Sequence, residues 1–149
     1  MPGRRAGIVT LISRKSDYAT RILLHLAALP PGSWSTARQI ASQRFIPPRL
    51  VGQIIGILAK AELVITKRGK GGGIRMARPG SQISLLDVVE TMQGPLSLNS
   101  CTIQPDWCRL AGSCPMHGVW ARCEEGLAEG LRRETLDRLA SRDSGGAIA

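Results

Sequence analysis

Three of the four cysteines in this chain lie in one short segment, CTIQPDWCRLAGSCPMHGVW, residues 101–120. Cys101, Cys108 and Cys114 are separated by six and by five residues, and His117 is the third residue after Cys114. Proline and glycine between the cysteines favour a loop, which can wrap its thiolates around one centre. Thiolates suit zinc and iron-sulfur clusters. The segment therefore predicts a metal site with these three cysteines as ligands.

The spacing of the cysteines favours one occupant over another. A structural zinc site more often uses cysteine pairs about two to four residues apart, whereas these wider spacings leave room for something larger than one ion. We therefore predict an iron-sulfur cluster, 2Fe-2S or 4Fe-4S, and keep a Cys3His zinc site as the alternative. A set of reduced structural thiols is a third interpretation, which the scarcity of cysteine elsewhere in the chain disfavours.

Positive charge is concentrated in the first half of the chain. Residues 1–80 contain 14 Lys and Arg against only Asp17 and Glu62, a net charge of +12, whereas residues 81–149 have a net charge of −3. Such a basic half predicts a polyanionic partner, and we expect double-stranded DNA. A helix lying on a membrane is disfavoured because the charges are spread over several elements. No apolar run reaches the roughly 20 residues of a membrane span, and we expect a cytoplasmic protein.

Apolar periodicity predicts three helices in the basic half, over residues 16–29, 37–44 and 48–62. Two strand-like runs follow, over residues 63–67 and 74–78, with four glycines in the six residues between them. Three helices followed by a basic hairpin are the parts of a winged helix-turn-helix. The predicted fold is mainly α, with a small β-hairpin wing and a long C-terminal dimerisation helix.

The candidate DNA-binding residues lie mostly on the third helix and the hairpin. Arg49 and Gln53 are one turn apart, and in the major groove Arg pairs with guanine and Gln with adenine. Arg68 and Lys70 are expected to contact phosphates or the minor groove. The full set of candidates is Lys15, Pro48, Arg49, Gln53, Arg68 and Lys70. The alternative is that Arg49 and Gln53 contact only phosphates or solvent.

The second half is predicted to carry the dimerisation element. From Pro115 to about Ser141 an apolar stripe predicts one helix, roughly 40 Å long. Such a stripe cannot be buried fully against so small a domain, so we expect a homodimer. Cys123 falls on the stripe, and we expect it to be a buried apolar contact in the dimer and not a ligand.

These predictions divide the chain into four parts. They are a winged helix-turn-helix over residues 1–80, a linking helix and cluster-binding loop over 81–114, a dimerisation helix over 115–142 and a disordered tail over 143–149. Ser84 and Asp87 have capping-box spacing at the start of the linking helix. No catalytic constellation accompanies the cysteines, so we expect no enzymatic activity.

The chain resembles the Rrf2 family of bacterial regulators, which includes IscR, NsrR and RirA. The resemblance covers nearly the whole chain and rests on SDYATRILLHLA, KAELVITKRGKGGGIRMARP, SLLDVVETMQGPL and C-x6-C-x5-C-x2-H. It implies a dimeric winged-helix transcription factor whose loop holds an iron-sulfur cluster that alters DNA binding. Two features depart from the family. MPGRRAGIV precedes the usual start, and Ile46-Pro47-Pro48-Arg49 replaces a common serine and tyrosine pattern, which leaves the recognised DNA sequence open.

The resemblance also suggests two fourth ligands. His117 stands where IscR-type members place a histidine ligand, and Asp17 stands where NsrR-type members place an aspartate that reaches the cluster of the partner subunit. Each has an ordinary alternative role, since Asp17 can stabilise the first turn of a helix through its dipole and His117 can simply pack or face solvent. We favour His117 and keep Asp17.

The predicted function is a DNA-binding transcriptional regulator, such as a repressor, whose operator affinity depends on the cluster. The signal would be redox state, nitric oxide, or iron or cluster supply. A zinc-stapled DNA-binding protein with no sensing role is one alternative. An iron-sulfur electron-transfer protein is another, but it needs neither a net charge of +12 in one half nor a glycine-rich wing.

Overall fold

The computed structural model describes residues 10–143. Its helices are α1 Arg14–Ala27, α2 Ala37–Arg44, α3 Pro48–Lys60, α4 Leu85–Gln93, α5 Ser100–Ile103, α6 Pro115–Arg133 and α7 Leu136–Arg142, and its antiparallel strands are β1 Val64–Lys67 and β2 Gly73–Met76. The prediction of a mainly helical fold with a two-stranded wing is confirmed. The N-terminal extension, and the predicted tail apart from Asp143, lie outside the described residues. Across the described range, no helix is both long and apolar enough to span a membrane.

Helices α1, α2 and α3 form the core of the basic half, and each begins at a recognisable signal. Ser13 caps α1 by accepting the Ser16 N–H. Thr36 and Gln39 form a reciprocal capping box at α2, and Pro48 occupies the first position of α3. The largest side chains buried here include Ile22, Leu23, Ile40, Ile54 and Leu58.

One titratable group is buried in this core. The Nε2 atom of His25 in α1 lies 2.9 Å from the Ser35 hydroxyl oxygen. Burial lowers the pKa of His25, and the positive charge of Arg44 lowers it further. A neutral imidazole therefore joins α1 to the segment before α2, which is a structural role.

The wing depends on two glycines. Ser35 and Ile74 exchange two backbone hydrogen bonds, of 2.9 and 2.7 Å, so β2 has partners on both sides. A Cβ atom on Gly73, whose φ is 145°, would lie 2.5 Å from the Ser35 carbonyl oxygen, and one on Gly72 would overlap the Lys67 carbonyl. Only glycine fits at these two positions.

Helix α4 packs between two apolar clusters. Val88 faces the main core, whereas Leu86 and Val89 pack against Leu127 and Leu131 of α6. The predicted capping box at the N-terminus of α4 is present. Helix α4 therefore connects the three-helix core mechanically to α6.

The prediction of one continuous helix over residues 115–142 is wrong, because the chain leaves helical geometry between α6 and α7. At this break the Leu85 N–H donates to the Glu134 carbonyl at 2.7 Å, and the Leu136 N–H donates to the Ile83 carbonyl at 3.0 Å. These bonds satisfy backbone groups that a broken helix would otherwise leave unpaired. Leu136 is fully buried in the main core. The chain thus returns to the basic half after α6.

A long-range ion pair fixes the end of α7. The Arg44 Nη1 atom, at the end of α2, lies 2.6 Å from Asp143 Oδ2 at the C-cap of α7. Both side chains are partly buried. Helix α7 therefore contacts α2 as well as α1 and links the C-terminal part of the chain to the helix-turn-helix.

Candidate metal centre and nucleic-acid interface

Cys101, Cys108, Cys114 and His117 line one cavity of about 270 Å³. Cys101 lies in α5, and Cys108 follows a 3-10 turn over Pro105–Trp107. Cys114 is the N-cap of α6, and His117 lies in the first turn of that helix. The segment that the sequence suggested as a metal loop therefore brings its three thiols and the imidazole to one place.

The imidazole of His117 has an unsatisfied nitrogen. Its Nδ1 atom is buried and has no hydrogen-bond partner among the described residues. An unpaired buried polar atom costs free energy, and imidazole nitrogen together with thiolate sulfur is a donor set that iron and zinc accept. The residues present therefore fit a metal group.

The four side chains line the cavity without converging on one point. Among residues 10–143, no three Cys, His, Asp or Glu side chains are close enough together to hold a single metal ion. The structure therefore shows a shared cavity for the donors and not a formed single-ion site.

Asp17 does not line this cavity. Its carboxylate lies 2.8 Å from Arg21 Nη2 on the next turn of α1. Beside it, the Ser13 N–H and the Ser16 hydroxyl donate to Gln93 Oε1 at 2.9 and 2.7 Å, which ties the start of α1 to the end of α4. Within its own chain Asp17 has the role of a first-turn acidic residue.

Sequence reasoning missed Glu124, which holds the cysteine segment against α6. Its Oε2 atom accepts hydrogen bonds from the Leu98 N–H at 3.0 Å and from the Thr102 hydroxyl at 2.7 Å. Because Thr102 follows Cys101 in α5, this carboxylate fixes the position of Cys101 relative to α6. Glu124 is two helical turns after His117 and shares its face, which is the one sequence signal that pointed to it.

An apolar surface surrounds the mouth of the cavity. Trp107 is 78% exposed and Leu110 64%, and Met116 and Val119 are also exposed. Helix α6 has no buried residue within the chain. Cys123 on α6 is exposed and lies outside the cavity. Trp107 and Trp120 both line the cavity, but the exposed Trp107 ring does not shield it from solvent within one chain.

The candidate DNA-binding side chains lie at the surface of the basic half. Arg49 and Gln53 are on the side of α3 away from the buried Val51, Ile54 and Leu58. The wing residues are in the turn between β1 and β2. All six candidates are exposed: Lys15, Pro48, Arg49, Gln53, Arg68 and Lys70.

Two glycines on the same side of α3 were also missed. Gly52 and Gly56 are exposed, and a Cβ on either would meet no protein atom within 4 Å. Glycine inside a helix costs about 1 kcal/mol relative to alanine. No packing contact among residues 10–143 requires these glycines, but they leave the helix backbone open to close approach by another surface. Their spacing of four residues was visible in PRLVGQIIGILAK.

Residues 12–142 match the family model described as Rrf2, iron-dependent transcriptional regulator. The chain belongs to the Rrf2 family. The match includes the helix-turn-helix, the wing, the cysteine segment and both C-terminal helices. This Rrf2 chain is accordingly a transcriptional regulator, and DNA binding is the function expected of its basic half.

Solved structures agree with the family assignment. CymR of B. subtilis, described as the global cysteine regulator, is 25% identical, with a TM-score of 0.76 over 91% of this chain and 98% of that one. IscR of T. potens is 22% identical, with a TM-score of 0.73 over 99% and 96% of the two chains. CymR of Staphylococcus aureus is 24% identical, with a TM-score of 0.69 over 86% and 96%. The fold is thus that of winged-helix Rrf2 regulators.

Proposed function

We propose that this Rrf2 protein is a DNA-binding transcriptional regulator whose operator affinity is controlled by an iron-sulfur cluster. Cys101, Cys108 and Cys114 hold the cluster, and His117 is the fourth ligand. The observation that carries the proposal is the single cavity that collects three thiols and an imidazole with a buried, unpaired nitrogen. Because it acts on operator DNA and no membrane partner is expected, we place the protein in the cytoplasm.

The donors of the cavity and the description of the family model support an iron-sulfur cluster. When bound, a cluster supplies iron that reacts with oxygen or nitric oxide and exchanges electrons at potentials set by its surroundings. The residues of this chain supply the thiolates, orient Cys101 through Glu124, and include the indoles of Trp107 and Trp120 in the lining of the cavity. The description of the family model as iron-dependent agrees with this assignment.

Two physical connections would carry a change at the cavity to the DNA-binding half. A cluster bound to the three cysteines would restrain α5, which contains Cys101. The hydrogen bonds of Glu124 then hold α5 in place against α6. Helix α6 packs on α4, whose other side reaches the main core. Helix α6 is also followed directly by Leu136 and by α7, which contacts α2. A shift of α6 therefore moves elements that hold the helix-turn-helix.

We propose a homodimer formed through the uncovered face of α6. A 19-residue amphipathic helix with no buried residue leaves Met116 and Val119 in water, and a second copy of the chain would cover them. Light scattering of the purified protein should give twice the chain mass of 16.0 kDa. A monomeric mass at micromolar concentration would contradict the dimer.

The fourth ligand is tested by two substitutions made in parallel. His117→Ala should lose most of the iron and visible absorbance of anaerobically purified protein, because it removes a cavity donor. Asp17→Ala should keep both, because Asp17 lies outside the cavity of its own chain and pairs with Arg21. Loss with Asp17→Ala but not with His117→Ala would assign the ligand to the partner subunit's Asp17.

The wing is tested by removing its two exposed charges. The double variant Arg68→Ala, Lys70→Ala should bind every DNA sequence more weakly. The slope of log affinity against log salt should fall by roughly two, about one for each lost phosphate contact. Arg122→Ala with Arg138→Ala, two exposed arginines of the second half, removes the same charge as a control. Equal slopes for the wing variant and the unaltered protein would contradict the wing assignment.

The similarity to CymR of B. subtilis favours a second candidate function. Under that alternative the protein is an Rrf2 regulator that responds to cysteine status and holds no cluster, and a zinc-stapled regulator with no sensing role would give the same optical result. Anaerobic purification followed by an absorbance spectrum and by iron and sulfide analysis separates these functions. Iron and sulfide at stoichiometric levels are the result that the cluster proposal predicts, and a colourless protein that still binds DNA favours the alternatives.

A further inference from the structure

Phe45, the one phenylalanine of the chain, lies uncovered in the turn between α2 and α3. It is 71% exposed. Its φ of 53° is in the left-handed region, where a large side chain is strained. Exposure and strain are both unfavourable, and no described residue of the chain compensates for them by covering the ring. Such a combination points to a contact made outside the chain.

The surroundings of Phe45 indicate what kind of surface it meets. Phe45, Pro47 and Pro48 line an open recess of about 500 Å³ together with Arg38. Arg49 is exposed on the next residue of α3. The recess is thus an apolar patch with one arginine, Arg38, in its lining and a second, Arg49, directly after Pro48, at the N-terminus of the helix that carries the candidate base contacts. This combination suits DNA better than an apolar protein partner.

We propose that Phe45 is a specificity-determining residue that contacts the 5-methyl group of a thymine in the major groove. The proposal rests on the proposed DNA-binding function and specifies which base Phe45 contacts. In a helix-turn-helix, the N-terminal residues of the recognition helix meet the base edges. The thymine methyl is the apolar group that the major groove presents, and phenylalanine is among the side chains that contact it. Because Gly52 has no side chain on the exposed side of α3, the helix can approach the DNA closely enough for this contact.

The substitution Phe45→Gly offers a test in which the fold is expected to stay intact. Phe45→Gly removes the ring, and glycine adopts the left-handed conformation without strain, so this variant should unfold at the same temperature as the unaltered protein or higher. Glu62, exposed after α3 with a φ of 58°, is the other described non-glycine residue with positive φ. Glu62→Gly gives the same backbone relief outside the recess and is the matched control.

The measurement uses duplexes selected from a random library by the unaltered protein. Each thymine of a selected duplex is replaced in turn by deoxyuridine, which lacks only the methyl group. The unaltered protein and Glu62→Gly should lose about fourfold in affinity at the contacted thymine, as expected for one buried methyl. Phe45→Gly should bind the thymine and deoxyuridine duplexes equally.

The other possible results distinguish an error in the thymine contact from a failure of the proposed function. If the unaltered protein binds its selected duplexes but no deoxyuridine weakens binding, or if Phe45→Gly keeps the discrimination, the thymine contact is wrong and DNA binding stands. If the unaltered protein enriches no duplex at all, the proposed function itself fails. If Phe45→Gly discriminates normally but loses binding to purified RNA polymerase, the recess is a protein-docking site and the thymine contact is overturned.

Discussion

Replacing Cys101, Cys108 or Cys114 singly by serine is expected to remove nearly all iron and visible absorbance from the anaerobically purified protein. The three thiols line one cavity, and each would be the protein ligand of one iron. Changes that only disturb the partners of metal ligands cost about 10- to 100-fold in metal affinity, so losing a ligand should cost at least as much. Iron content per chain and the absorbance spectrum are the readouts.

Cys123→Ser is the matched control for these three variants. It makes the same chemical change, but Cys123 is exposed on α6 and lies outside the cavity. Its iron content should equal that of the unaltered protein. Iron retained in all three cavity variants, or lost equally in Cys123→Ser, would contradict the ligand assignment.

Leu136→Ala is expected to lower the free energy of unfolding by about 2–5 kcal/mol, the range for truncating a fully buried leucine. Leu136 follows the break after α6 and has no exposed surface. The loss should appear in urea unfolding as a lower midpoint with an unchanged slope. Cavity formation in the core, where α1 and α4 meet the C-terminal segment, is the physical reason.

Leu139→Ala in the same helix is the control, because Leu139 is only partly buried and its truncation should cost clearly less. Equal stability of Leu136→Ala and the unaltered protein would show that the segment after α6 does not pack in the core. The coupling route through α7 and the pair between Arg44 and Asp143 would then be lost with it.

Helices α1 to α4 and the wing could be predicted because their signals are local. Thr36 with Gln39 and Ser84 with Asp87 mark helix starts through hydrogen bonds between residues three positions apart. Pro48 marks one because its fixed φ suits the first turn and its missing N–H would be unpaired there. The glycines of the wing likewise satisfy a local steric need. Such signals act over a few residues, so the sequence alone displays them.

The break after α6 could not be predicted in the same way. The apolar and charged residues of 115–142 continue a helical pattern across it. What ends α6 is pairing with Ile83 and Leu85, about 50 residues earlier, and burial of Leu136 in a core formed by other helices. Contacts between residues so distant in sequence override local periodicity, and one sequence does not reveal them.

In the candidate metal centre, too, some residues could be identified from the sequence and others only from the fold. The thiols and His117 were identified because metal ligands need particular residue types at close spacing. Glu124 was not, because its role consists of accepting two hydrogen bonds from residues more than 20 positions earlier. Phe45 was missed for another reason, since exposure of a large apolar residue becomes visible only when the folded surface is known.

Under the proposed function, occupation of the cysteine cavity sets operator affinity. The most direct test is the Kd of the cluster-loaded protein and of the same preparation after cluster removal, measured anaerobically by fluorescence anisotropy on one selected duplex. Light scattering should show the same oligomeric state for both forms. We predict Kd values that differ by about tenfold or more, within the usual range of coupling between two sites. Equal Kd values for the two forms would contradict the account.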